Sequence, residues 1–344
     1  MINWLHYVKV QEENYMKKLI NDSDKVVTEM LQGMAIANPN IVYHDKFEVI
    51  ARKNKTEKVG IVSGGGSGHE PAHGGYVGTG MLDAAVAGNV FASPSPDRIL
   101  KGIQEANTGK GVLMVIKNYS GDIMNFEMAK ELAEMEGLNV KSVIVKDDVA
   151  VPDSTYSTGR RGIAGTIFVH KIAGAKAEEG ATLDEVLTIA QKTADNTRSM
   201  GMAMSSCILP GVGKPGFILK ENEIEIGMGI HGEPGIRKTN IKPAREIVEI
   251  LCHKILKDMD FVDSEVAVIV NGLGATPSME LYIIAKEVDE FLKLNNINPY
   301  KYFVGNFMTS LEMAGCSISL LKLDAQLKQL LNAPCNTMGL KMGD

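Results

Sequence analysis

The chain has only four cysteines in 344 residues, Cys207, Cys252, Cys316 and Cys335, and no two form a C-x-x-C pair. That pattern excludes a cysteine-rich zinc module and a disulfide framework, and it fits reduced thiols in the cytoplasm. No apolar run approaches the roughly 20 residues of a membrane-spanning helix. The opening stretch, MINWLHYVKVQEENY, lacks an apolar core followed by a cleavage site, so no secretion signal is expected. Residues 1–15 read instead as a surface appendage ahead of a second plausible start at Met16. Basic residues are in the minority, 36 Lys and Arg against 42 Asp and Glu, which gives a net charge of −6. With no basic tract either, the chain makes a poor partner for nucleic acid or an anionic membrane. Nor does any cluster of carboxylates suggest a metal cage, so no metal is expected on this chain.

Apolar residues make up 44% and charged residues 23%, the balance of a globular protein long enough for about two domains. Helical periodicity begins near Asp22, with Val26, Val27, Met30, Leu31 and Met34 three to four residues apart. KVGIVSG then reads as a buried strand entering a glycine-rich loop. Helices are expected over about 95–107 (Ser95 as cap, Pro96 first), 123–137, 161–179 and 183–205, with strands GVLMVIKNY and VKSVIVKDD between them. This alternation implies a parallel-sheet α/β domain over residues 16–205. The Pro- and Gly-rich LPGVGKPG marks the boundary to a second domain, 206–344. There GFILKENEIEIGMGIHG reads as a hairpin turning at Glu221-Asn222. Two helices and the strands EVAVIVNG, KYFVGNF and SISLLKL complete a mixed-sheet α+β domain, whose last strands are free to pack back on the first.

The stretch IVSGGGSGHEPAHGGYVG, from Ile61 to Gly78, admits three readings. HEPAH matches the H-E-x-x-H zinc pattern, but that pattern needs both histidines on one helix face. Pro71 between them and glycines on either side work against a continuous helix. A nucleotide phosphate loop would need G-K-[ST], and the stretch offers Gly68-His69-Glu70. The third reading is a pocket for a small neutral molecule, with glycines admitting it to the backbone and His69 handling a proton. VIKNYSGD places Lys117 and Asp122 at the carboxyl end of a strand, the edge where α/β sheets bind ligands, although Asp122 would also serve as a helix cap. GMGIHGEPG puts His231 on a turn stripped of bulk by glycines, and it repeats the Gly-His-Pro character of GSGHEP.

SGGGSGHEPAHGGYVG, VIKNYSGD, GIHGEPG and VNGLGATPSMELY, in this order, resemble the dihydroxyacetone kinase family, in particular its substrate-binding K subunits, from about Met16 to Pro334. The resemblance implies a phosphotransferase fed from phosphoenolpyruvate. By motif position His231 would add to the ketone carbon of dihydroxyacetone and hold it as a hemiaminal, which glycerol, lacking a carbonyl, cannot form. An imidazole with its ordinary pKa near 6.5 is largely neutral, hence nucleophilic, at cytoplasmic pH. His69 would exchange a proton with the carbonyl oxygen, and Asp122 would take the proton of the terminal hydroxyl that attacks phosphorus. Gly66, Ser67, Gly68 and Lys117 would line the pocket.

No cofactor is expected on this chain. ADP or ATP with Mg would sit on a separate L subunit, recharged by an M subunit, and the K subunit would work as a homodimer. Some relatives of this kind act as sensors that regulate transcription, so a dihydroxyacetone-responsive coactivator is the alternative.

Overall fold

The computed structural model describes residues 17–152 and 159–343, so the appendage expected over residues 1–15 lies outside them. The first half comprises α1 (Val26–Ala37), β1 (Ile41–His44), β2 (Val49–Arg52), β3 (Gly60–Ser67), β4 (Ala84–Val90), α2 (Pro96–Ala106), β5 (Val112–Lys117), α3 (Ser120–Met135) and β6 (Val140–Val145). Its sheet runs β1-β2-β4-β3-β5-β6, with β4, β3, β5 and β6 mutually parallel and β1–β2 an antiparallel edge. β3 and β5 are buried along their whole length, as strands covered on both faces must be. The glycine run expected in a loop is itself the second half of β3. Neighbouring backbone comes so close that a Cβ on Gly64 would lie 2.4 Å from the Val86 oxygen, and one on Gly66 2.6 Å from the Ala92 nitrogen. Only glycine lets the chain pass there as a strand.

The second half contains α4 (Thr166–Glu178), α5 (Leu183–Asp195), β7 (Thr197–Ala203), β8 (Glu223–Ile226), β9 (Arg237–Asn240), α6 (Ala244–Asp258), β10 (Glu265–Gly272), α7 (Ser278–Leu294), β11 (Asn298–Gly305), β12 (Gly315–Leu323), α8 (Ala325–Asn332), β13 (Cys335–Asn336) and β14 (Lys341–Met342). The second sheet runs β11-β10-β12-β7-β8-β9; only β10–β11 pair in parallel, so it is mixed, as expected. Two expected elements differ. The helix over 183–205 stops at Asp195, because the following TRSMGMA is captured as β7 between β12 and β8. The hairpin at Glu221-Asn222 does not form. Residues 217–220 join no strand, and β8 pairs instead with β9, which leaves residues 227–236 as the loop that carries His231.

α4 explains how the two sheets stay together. All of its residues except Lys176 and Glu178 are buried, the mark of a helix covered on every side. It packs in one core with Leu113, Val115 and Val143 of the first sheet and Ala267, Ile269 and Leu321 of the second. The chain end then returns to the first half: the Asn336 N–H donates to the Thr79 carbonyl at 2.9 Å and the Gly339 N–H to that of Gly75 at 2.7 Å.

Within this core His170 of α4 faces His73, with Nε2 and Nδ1 3.0 Å apart. One nitrogen must donate and the other accept, so at least the accepting ring is neutral when the bond is made. Burial first, then the Lys117 charge, pushes His170 down to about 3, and burial chiefly lowers His73 well below the usual imidazole range. Below about pH 6.5 the unfolded chain binds protons at these positions that the folded chain refuses, so stability falls as pH drops. Urea midpoints measured from pH 7 to 5 should decline accordingly, and His170→Gln should make the decline shallower. A Cβ on Gly174 would sit 2.5 Å from the Met81 backbone. Gly174→Ala should therefore cost about 1–3 kcal/mol in the same assay.

Candidate active site

Three pieces of chain converge between the sheets. The turn after β3 carries His69, the end of β5 and start of α3 carry Lys117 to Asp122, and the β8–β9 loop carries His231. The second half is tied to the glycine turn by backbone bonds, Leu311 N–H to the Gly68 carbonyl at 2.7 Å and Thr309 N–H to that of His69 at 3.2 Å.

His69 is fully buried. Its Nδ1 lies 2.8 Å from the Thr309 carbonyl oxygen, which can only accept, so Nδ1 carries the proton and Nε2 the lone pair. That Nε2 is buried without a partner. Burial, then the charges of His231 and Lys117, lowers the ring's basicity well below the ordinary value. His69 is thus a neutral ring with an unsatisfied acceptor, stacked on Phe91 and meeting the His231 ring edge-on at 4.7 Å between centroids.

His231 is caged by aromatic rings, with Tyr119 at 4.5 Å and Phe91 at 5.3 Å, both edge-on. Its Nδ1 lies 3.0 Å from Glu233 Oε1, and its backbone N–H donates to Oε2 at 2.9 Å. An ionised carboxylate only accepts, so Glu233 holds the proton on Nδ1 and leaves the Nε2 lone pair free. Burial by itself would raise the Glu233 carboxyl. The bond to His231, its charge and that of Arg161 outweigh it and bring the carboxyl down to about 2.

Lys117 is wholly buried at the end of β5, with Nζ 3.4 Å from Asp122 Oδ2 and 5.9 Å from the Tyr119 ring centre. Asp122 lies inside the first turn of α3, which begins at Ser120 with Tyr119 at its N-cap, so it is not the cap. Its other oxygen accepts from the Ser93 hydroxyl. A Cβ on Gly65 would fall 2.5 Å from Lys117 Nζ and 3.2 Å from Asp122 Oδ2, so the bare strand backbone forms the floor under this ion pair.

The fold thus brings His69 and His231 together, and sets Lys117 and Asp122 against the glycine strand. Gly66 and Gly68 shape that wall; Gly68 adopts φ +103, which suits glycine. Ser67 points its hydroxyl at the Gly88 carbonyl, 2.8 Å away. The two histidines of HEPAH diverge, His69 toward His231 and His73 toward His170, which is not the shared helix face a zinc pair needs. Among the described residues no group of three or more His, Cys, Asp or Glu is placed to hold a metal, and no helix is long and apolar enough to cross a membrane. Sequence reasoning missed Glu233, Tyr119, Phe91, Ser93 and Thr309. Glu233 and Tyr119 lie inside motifs already singled out, whereas nothing local marks Thr309, which reaches His69 only through the fold.

Comparison with known proteins identifies the family. The Dak1 domain family model matches residues 32–339. The chain is 49% identical over 327 residues to the dihydroxyacetone-binding subunit DhaK of a PTS-dependent dihydroxyacetone kinase of Listeria innocua, covering 94% of this chain and 99% of that one. The crystal structure of the dihydroxyacetone kinase of C. freundii superposes with a TM-score of 0.89 at 37% identity, over 95% of this chain and 61% of that one. The DhaKLM operon coactivator DhaQ of Lactococcus lactis is 38% identical over 322 residues, covering 92% and 98%. The chain therefore belongs to the dihydroxyacetone kinase family, and it aligns almost end to end with that family's dihydroxyacetone-binding subunits.

Proposed function

We propose that this chain captures dihydroxyacetone as a hemiaminal on His231 and presents the ligand's terminal hydroxyl to a phosphoryl group carried by a partner subunit. The observation that carries the reading is the His231–Glu233 bond, which leaves Nε2 as the free nucleophile beside a neutral, unpartnered His69 nitrogen. In the capture step the Nε2 lone pair forms the bond to the carbonyl carbon and the C=O π pair moves to oxygen. The oxygen gains a proton and the ring sheds one from Nδ1, so no outside reagent is consumed. His69 Nε2 accepts the hydrogen bond of the new hydroxyl. Asp122 takes the proton of the terminal hydroxyl as its oxygen attacks phosphorus, and the Lys117 cation steadies the carboxylate. Gly66, Ser67 and Gly68 admit the small ligand to the strand edge.

The nucleotide, ADP or ATP with Mg, belongs in this reading to an L subunit. Several relatives are dihydroxyacetone kinases dependent on a phosphotransferase system, which supports recharging from phosphoenolpyruvate through an M subunit. The same reading implies a cytoplasmic homodimer. The coactivator relative supports a second reading, a ligand sensor without turnover.

Crystals soaked in dihydroxyacetone should show continuous density from His231 Nε2 to the ligand, and His231→Ala should lose it. Ligand lying free of the ring in wild type would sink covalent capture. With the L, M and general phosphotransferase proteins present, dihydroxyacetone phosphate should accumulate. Asp122→Asn should lower turnover by about 10²–10⁴-fold while the adduct persists. Capture without any turnover in the complete mixture would favour the sensor.

A further inference from the structure

The carboxylate that orients His231 has a neighbour the reaction does not touch. Arg161 is buried, and its guanidinium is fixed by Asp148, with Nε at 2.9 Å and Nη2 at 2.7 Å from Oδ2, and by the Gly227 carbonyl at 2.8 Å. These anchors come from the two sides of the cleft: Asp148 follows β6, and Gly227 opens the loop that carries His231. The remaining arm, Nη1, turns to the side of Glu233 without closing an ion pair to it. A Cβ on Gly229 would lie 2.0 Å from Glu233 Oε2 and 2.6 Å from Arg161 Nη1, so both charged ends converge on the face that this glycine leaves open.

A carboxylate at hydrogen-bonding distance does two things to an imidazole. It fixes the ring, and it favours a second proton on it, typically by a pH unit or more. The first helps a nucleophile and the second destroys it, because an imidazolium has no lone pair to give. Resting on the covalent-capture reading, we propose that Arg161 is a positioning residue for that step: its guanidinium gives Glu233 a standing counter-charge, so that Glu233 orients the His231 ring without charging it. The other groups around the ring are His69 at the end of β3, Tyr119 ahead of α3, and Lys117 behind Tyr119. His69 is held neutral, and burial keeps the Tyr119 hydroxyl protonated, so neither supplies that counter-charge. Lys117 lies behind the Tyr119 ring and against Asp122, which leaves Arg161 as the cation on the Glu233 side of the ring.

The test compares wild type with Arg161→Met and Arg161→Lys, using the whole chain labelled at histidine nitrogen, with His231→Gln to assign the signal. In ligand-free protein the pH at which His231 gains its second proton should rise by about one unit in Arg161→Met and return most of the way in Arg161→Lys. Dihydroxyacetone affinity of Arg161→Met should be about tenfold weaker at pH values below both midpoints, and equal to wild type at pH 9. The adduct nitrogen, attached to an oxygenated carbon, is the weaker base and does not offset this. An unmoved His231 midpoint, or an affinity loss that is the same at every pH, overturns the proposal. If Arg161→Met does not fold, Arg161→Gln, which keeps amide donors for Asp148 and the Gly227 carbonyl but loses the charge, is read in the same way. Wild type that binds no dihydroxyacetone at any pH would defeat covalent capture, while the ligand-free titration would still decide the role of Arg161.

Discussion

The hydrogen bond from His231 Nδ1 to the Glu233 carboxylate is the constraint from which the rest of the site follows. It selects one tautomer, and with it the nitrogen left without a protein partner. The matching bond from His69 Nδ1 to the Thr309 carbonyl selects the tautomer of the second ring, so that neither Nε2 lone pair is tied up by protein. Both choices are made by groups that only accept. Such locks are more robust than hydroxyl partners, which would allow either tautomer.

These locks work only because the scaffold fixes elements from distant parts of the chain. β3 is glycine for half its length, and that lets a lysine–aspartate pair lie directly on strand backbone. α4, buried on every side, joins the core beneath β5 to the core beneath β10 and β12, so that the His231 loop of one sheet meets the His69 turn of the other. The aromatic cage around His231 is contributed from both sides: Phe91 and Tyr119 from the first half close on a ring from the second.

Much of this was legible in the sequence. The alternation of apolar runs with 3.6-residue patterns gave the α/β class, and the glycine-flanked histidines with VIKNYSGD marked residues that the fold gathers into one place. Local signals failed where the neighbours decide. TRSMGMA follows directly on a good helix, and only its place between β12 and β8 makes it a strand. GFILK looks like half of a hairpin but has no partner, because β8 pairs with β9 across the His231 loop. SGGG reads as a loop until the approach of Val86 and Ala92 shows why a strand needs those residues. Thr309 and Ser93 could not be found at all, since what they do is set by distance in space and neither sits in a motif.

The bonds from Thr309 and Leu311 to His69 and Gly68 bear on how the protein acquires its activity. They close a loop of about 240 residues, so they raise the contact order. During synthesis the ribosome must release nearly the whole polypeptide before these partners exist. The meeting of His69 and His231 is then completed late, after both cores have condensed, and a half-made chain lacks the second wall of the proposed site.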